Sequence, residues 1–342
     1  MLKTVTISAA AMGMLFSALL GLVVMPLLLR MQRAHRSFVA QQEQLHPTED
    51  IAPRTVKDIP ALGGGVLWIG CCAAVVFAWS LAAPSLAENG YAEGWTRSAL
   101  LIGGSLPLGL VGMAEDCLRI FRQNGKEIRP LTRLALQSVC AAAMLVVLYF
   151  SGNTSTLVHL ANRWVDLGIW YWPASMAAIV CISRSAASCA ETDGVTAGGG
   201  FVAAFAFLII GMLMLETDPP GGRFVIALYA AALAGGCIGF LFWNYYPARI
   251  AIGSAGAQFL AAALVMIAWN LGRPELLLIC VLPWIINGLI GLVTGLWYNR
   301  RRMTPDQLLK AKGWGAPAIT AVFCGAGCVG ALLSVLQVWF AV

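Results

Sequence analysis

The sequence predicts an all-α, polytopic membrane protein of about ten transmembrane helices with both termini external. Three observations carry this. Hydrophobic residues make up 59% of the 342-residue chain, charged residues only 11%, and the mean hydropathy is +0.79. A soluble domain carries about a quarter charged residues. The apolar residues fall into runs of roughly 18 to 25, the length of a helix that crosses a bilayer. No run alternates, which argues against the shorter, alternating strands of a membrane barrel.

Taken in order, the spans are expected near 5–29, 61–83, 98–114, 131–151, 165–183, 196–214, 224–245, 251–270, 275–298 and 317–341. The first has too long an apolar region for a signal peptide, and its basic cluster follows rather than precedes it, so it reads as a transmembrane helix. The fifth is the least regular, being rich in Trp and Ala. Residues 1–342 read as one membrane-embedded domain.

Lys and Arg stay on the cytoplasmic side of short loops. Of the 22 basic residues, 17 fall in or beside the first, third, fifth, seventh and ninth loops. Lys3, Arg97, Arg163, Arg223 and Arg273 are scattered singly on the other side. The odd-numbered loops are therefore cytoplasmic. The net charge is +6, and no nucleic-acid partner is expected. The ten cysteines lie mostly inside spans with no C-x-x-C pair, as small packing residues do, and the three histidines are isolated.

No acid or base falls at mid-depth of a span, where transporters keep such groups. Polar residues gather in the cytoplasmic loops instead, in four stretches. "KDIPALGGGVLWIG", 57–70, opens the second span with three glycines, which allow close approach of backbone or lipid. "GMAEDCLRIFRQNGKEIRPLTRLALQ", 112–137, places Glu115 and Asp116 before a basic run. Adjacent carboxylates suit Mg²⁺ or a base, though a helix end with snorkelling cations has the same pattern. "ISRSAASCAETDGVTAGGG", 182–200, sets Asp193 and Gly194 before a glycine-rich helix start, suited to phosphate and a metal, or to an ordinary turn. The fourth combines "FLFWNYYPARIAIGSAGAQFL", 240–260, with "RRRMTPDQLLKAKGWGAPAITAVF", 300–323.

In this order the stretches resemble the polyprenyl-phosphate N-acetylhexosamine-1-phosphate transferases, over nearly the whole chain. Residues 240–260 are similar to the family's F-L-x-x-N-x-x-P-A-x-x-F-M-G-D-x-G-S-x-x-L, "IPALGG" to its P-x-x-G-G loop, and "KGWGAPAITAVF" to the K-G-W-x-E-P segment of the muramoyl-pentapeptide branch. The resemblance implies ten spans with external termini in a bacterial cytoplasmic membrane. It implies transfer of a sugar-1-phosphate from a UDP-sugar to undecaprenyl phosphate, with Mg²⁺, releasing UMP. The same resemblance assigns catalytic roles to Glu115, Asp116 and Asp193, with Asp116 and Asp193 as metal ligands. It sets Lys57, Arg133, Asn244, Arg249 and Arg300 around the substrate or lipid phosphate. A homodimer or an envelope-assembly complex is the expected setting.

The chain departs from the family at several of these positions. One aspartate of the pair is Glu115. The asparagines of N-A-x-N-x-x-D-G-x-D-G-L fall on Arg184 and Ala187, and its first aspartate falls on Ala190. The aspartate of G-D-x-G-S falls on Ser254, and the histidine cluster of the ninth loop falls on Asp306, Gln307 and Leu308 or is deleted, with no histidine left there. A serine hydroxyl does not replace a carboxylate in neutralising Mg²⁺. Two function classes follow: a weakened phosphoglycosyl transferase, or a non-catalytic binder of polyprenyl phosphate that scaffolds envelope assembly.

The arrangement of basic residues makes a direct prediction. Cysteines placed at either terminus will react with a membrane-impermeant thiol reagent from outside, and cysteines in the third loop will not; a protected C-terminus would refute the orientation.

Overall fold

In a bilayer every backbone N–H and C=O must find a partner within the protein, so apolar runs become helices. The computed structural model describes residues 8, 11–13, 15, 16, 18–24, 26, 27, 30, 63–88, 94–121, 129–150, 156–160, 163–214, 222–297 and 303–340. Its helices are α1 (Gly64–Glu88), α2 (Gly94–Phe121), α3 (Pro130–Phe150), α4 (Tyr171–Cys189), α5 (Val195–Leu213), α6 (Gly222–Asn244), α7 (Gly253–Asn270), α8 (Pro274–Cys280), α9 (Leu282–Trp297), α10 (Pro305–Ala311) and α11 (Ala316–Trp339). Described residues between 11 and 24 are helical as well.

Among the described residues six helices are long and apolar enough to cross a membrane: α2, α3, α5, α6, α7 and α11. A seventh candidate is the pair α8 and α9, bent by 73°. The sequence predicts one continuous span at 275–298; Pro283 explains the break. Proline lacks the N–H that would bond back one turn and clashes with the carbonyl four residues earlier, so α8 stops at Cys280 and α9 restarts with Pro283 in its first turn.

The fifth expected span also needs correction. Residues 163–166 are not helical. They form β2 (Arg163–Asp166), paired antiparallel with β1 (Leu157–Leu160), with Val158 opposite Val165 and His159 opposite Trp164. α4 begins at Tyr171 and continues to Cys189, beyond the expected end at 183. Thr156 Oγ1 and the Gly168 N–H both donate to Asp166 Oδ1, at 2.6 and 2.9 Å, and hold its carboxyl below the usual carboxylate range. They fasten the hairpin to the turn that enters α4. Behind it, Gln337 meets His159 Nδ1 at 2.7 Å, and the Arg273 guanidinium lies 4.9 Å over the Trp164 ring.

The core is organised around α7. It touches α1, α2, α3, α4, α5, α6 and α8, and every residue from Ser254 to Trp269 is buried. Small residues make this possible. A Cβ on Gly112 of α2 would run into the Ser254 carbonyl oxygen, and one on Gly64 of α1 would meet the Gly256 backbone nitrogen. The backbones of α1, α2 and α7 are in near contact, the close approach that small residues permit between membrane helices. A polar link also crosses the apolar bundle, the 2.9 Å pair of Ser105 Oγ on α2 and Tyr229 OH on α6. The outward faces of α3, α9 and α11 stay apolar, with Val139, Val146, Leu292, Val293, Leu332 and Leu333 exposed, as lipid contact requires.

Gly64→Val is expected to destabilise the protein by about 2–3 kcal/mol, because backbone atoms rather than a flexible side chain block the added carbons. Gly65→Val, whose Cβ meets nothing within 4 Å, serves as the control. Denaturant unfolding in detergent micelles measures both.

Candidate functional site

A buried helix start is the first element of the site. The N–H groups of an α-helix's first turn have no partner within the helix. At α7 they meet Asp116, on the last turns of α2. Ser254 N donates to Asp116 Oδ1 at 3.1 Å and Ala255 N donates to Oδ2 at 2.9 Å, with Asp116 wholly buried. Gly253 enters the helix with φ +66°, a conformation that suits glycine. Two charge-assisted bonds and the favourable end of the helix dipole therefore stabilise the Asp116 carboxylate.

Glu115, one residue earlier, enters a second network. Its Oε1 lies 2.8 Å from Arg133 Nε, a charge contact rather than a linear hydrogen bond. Its Oε2 accepts the Gln258 amide at 3.1 Å, and Gln258 Oε1 in turn accepts from Gln137 at 3.3 Å. Arg133 and Gln137 stand four residues apart on α3 and so share a face. The network ties α2, α3 and α7 together. Sequence reasoning missed Gln137 and Gln258. The available signal was Gln258 itself, a lone amide in an apolar run, which must find a partner when buried.

The third element is the turn from α4 to α5, residues 190–194. Gly194, at φ +79°, donates its N–H to Asn244 Oδ1 at 3.2 Å, and Asn244 Nδ2 donates to the Ile250 carbonyl at 3.0 Å. Asn244 is buried and both ends of its amide are engaged. Asp193 is half-buried; Ala248 N approaches its Oδ2 at 3.4 Å, and Thr320 Oγ1 donates to its carbonyl at 2.7 Å. The loop 245–252 thus borders Asp193 at Ala248 and runs directly into Ser254 and the Asp116 carboxylate.

Asp306, on α10, closes the other side of the turn. It is wholly buried, accepts Thr192 Oγ1 at 2.6 Å, and its N–H donates to Asn287 Oδ1 at 3.1 Å. Gln307 Nε2 donates to Glu191 Oε2 at 2.8 Å, and Lys310 Nζ reaches the Glu191 carbonyl at 3.2 Å. Arg184 and Ala187 are half-buried on α4, and Ala190 ends that helix. Lys57 and Arg300 lie outside the described residues. Arg249 borders a groove of about 540 Å³ walled by Leu241, Phe242, Tyr245 and Tyr246.

These residues are a poor fit for the Mg²⁺ that the resemblance implies. Mg²⁺ takes six oxygens in a near-octahedral shell, usually one or two carboxylates, waters and substrate phosphates. Both Asp116 oxygens already accept backbone N–H groups. Glu115 is paired with a cation and an amide. Ser254 supplies no charge, and no group of three or more His, Cys, Asp or Glu able to hold a metal occurs among the described residues.

The family model described as Glycosyl transferase family 4 matches residues 98–272, half of the chain, from α2 to the end of α7. A phospho-N-acetylmuramoyl-pentapeptide-transferase of Desulforudis audaxviator is 28% identical over 340 residues, covering 95% of this chain and 96% of that protein. A protein of the same name from Thermodesulfovibrio yellowstonii is 27% identical over 313 residues, covering 84% and 82%. One from Nostoc punctiforme is 35% identical over 164 residues, covering 47% and 43%.

Asp116→Ala strands two buried N–H groups and is expected to cost about 3 kcal/mol; Asp116→Asn, which still accepts one bond, is expected to cost about half of that. Chemical denaturation of the purified protein, with no substrate present, checks both values.

Proposed function

Because the chain belongs to glycosyl transferase family 4, we propose that it handles polyprenyl phosphate, and through it a UDP-sugar, at the inner face of a bacterial cytoplasmic membrane, with Mg²⁺-dependent sugar-1-phosphate transfer weakened or lost. In this reading residues 1–342 form one domain of ten spans with both ends external. Glu115, Asp116 and Asp193 are the remaining acids of the reaction centre. Arg133 and Arg249, with Lys57 and Arg300, attract the phosphates.

The observation that carries the reading is the engagement of both acids at the end of α2. Asp116 holds the α7 helix start and Glu115 holds Arg133. Phosphoryl transfer depends on positioning and charge neutralisation more than on covalent help from the protein. A site whose carboxylates are committed to the fold brings little negative charge to a metal, and Ser254 and Ala190 add none.

A second reading is a non-catalytic binder of polyprenyl phosphate, alone, as a homodimer, or within an envelope-assembly complex. The groove beside Arg249 favours it. Its apolar wall suits a lipid chain, its tyrosines suit the interface, and Arg249 forms no ion pair among the described residues.

The deciding experiment is transfer of radiolabelled sugar phosphate from a UDP-sugar to polyprenyl phosphate in membranes, with and without Mg²⁺. Transfer is expected to fall at least about 10³-fold below that of a relative with an intact aspartate set. Ser254→Asp is expected to compete with Asp116 for the α7 N–H groups and raise Mg²⁺ affinity, while transfer also requires Ala190→Asp and the missing histidines. Robust Mg²⁺-dependent transfer by the unmodified protein would overturn the reading.

A further inference from the structure

A guanidinium is a permanent cation with five N–H groups in a planar fork. In Arg133 the Nε edge faces Glu115, whose side chain is 3% exposed, while the Arg133 side chain is 18% exposed. Its two terminal nitrogens have no hydrogen-bond partner among the described residues. The buried end of the pair is fixed by a relay: Gln137 holds Gln258, and Gln258 holds Glu115. One edge of the fork faces Glu115, and the side chain as a whole is partly exposed. Arg129 stands one turn earlier, its carbonyl accepting the Arg133 N–H at 3.0 Å, and it is exposed. Arg129 and Arg133 are thus neighbouring cations at the start of α3, of which Arg133 contacts the buried Glu115, while the adjacent Asp116 carboxylate is engaged by the α7 helix start.

We propose that Arg133, held by Glu115, supplies the fixed positive charge that a divalent ion would otherwise bring, so that the site takes a phosphate monoester without a metal. The proposal rests on the phosphate-handling reading above and deepens it. Glu115 becomes a positioning residue rather than a metal ligand. A divalent cation placed against the same carboxylate would stand within a few ångströms of the guanidinium and be repelled by it. A phosphate finds the open edge of the fork, which is shaped for bidentate contact with oxyanions. No bond is made or broken in this step.

Two phosphate monoesters distinguish the sources of such a ligand. UMP reports a water-soluble one, and phosphatidic acid in nanodiscs, against phosphatidylcholine alone, reports a lipid one. Binding of each to the purified full chain is measured by calorimetry in EDTA and in Mg²⁺. The expected result is that at least one binds with an affinity that differs less than about twofold between the two buffers. Arg133→Gln is expected to weaken that binding by about tenfold or more, with only part of it kept by Arg133→Lys, which retains the charge but not the fork. Glu115→Gln separates the two roles by sign. If Glu115 only positions Arg133, removing its charge leaves anion binding unchanged or tighter; if it holds a metal, binding in Mg²⁺ is lost.

A tenfold gain on adding Mg²⁺, wild-type affinity in Arg133→Gln, a Mg²⁺-specific loss in Glu115→Gln, or no binding of either probe would each overturn the proposal. The metal comparison needs only the wild-type protein, so it stands if a variant fails to fold. Sugar-phosphate transfer is a separate assay. Metal-dependent binding without transfer would sink this proposal and leave the family reading intact.

Discussion

A helix buried on every side has nowhere to send its first N–H groups except into the protein. α7 is such a helix: from Ser254 to Trp269 no residue reaches the surface, and its start lies against α2 rather than in water. A bilayer protein cannot leave these groups unpaired. The Asp116 carboxylate answers that demand, and much else follows from it. Asp116 has to sit near the C-terminal end of α2 with α2 close to α7, so Gly112 has to be a glycine. α1 closes on the other side of the same turn through Gly64 and Gly256. Close backbone packing and a wholly buried acid are here one arrangement.

The same demand shapes the chemistry available. A carboxylate that accepts two backbone N–H groups is well solvated by the protein and gains less from a metal. Asp193 differs, being half-buried with one long contact from Ala248. Its turn is held from three directions, by Asn244, by Thr320 and, through Thr192, by Asp306. Here the fold positions the backbone and leaves the carboxylate lightly engaged. Of Glu115, Asp116 and Asp193, Asp193 is the one least committed to holding elements together.

Much of this was legible in the sequence. Apolar runs of bilayer length marked the helices because a membrane leaves few alternatives to helix. The acids, the Asp193–Gly194 turn and the 240–260 stretch stood out as polar residues gathered between spans, and the structure joins them through the loop 245–252. Three things were not legible, for different reasons. The bend at Val281 was signalled by Pro283 but masked by unbroken hydropathy. The hairpin at 157–166 carries Trp, Val and Leu, which suit a strand and a span equally. The α7 partners of Asp116 and Glu115, which are Ser254, Ala255 and Gln258, lie more than a hundred residues away, so no local pattern marks them.

Glu115 and Ser254 stand far apart along the chain. In the fold they flank one carboxylate: Ser254 gives its N–H to Asp116, and Glu115 is the next residue on the same helix turn. An acid at position 254 would stand at the same helix start as Asp116 and compete for the same N–H groups; a serine leaves Asp116 to hold both. The longer Glu115, reaching Arg133 on α3 and Gln258 on α7, converts a second acid into an internal ion pair. Such a pair must be well satisfied to be tolerated away from water, and the Gln258–Gln137 relay helps to satisfy it. Charge that a metal would balance from outside is balanced here by the chain itself. Positions 115 and 254 are therefore coupled around Asp116, and an aspartate introduced at either one alone leaves Arg133 in place.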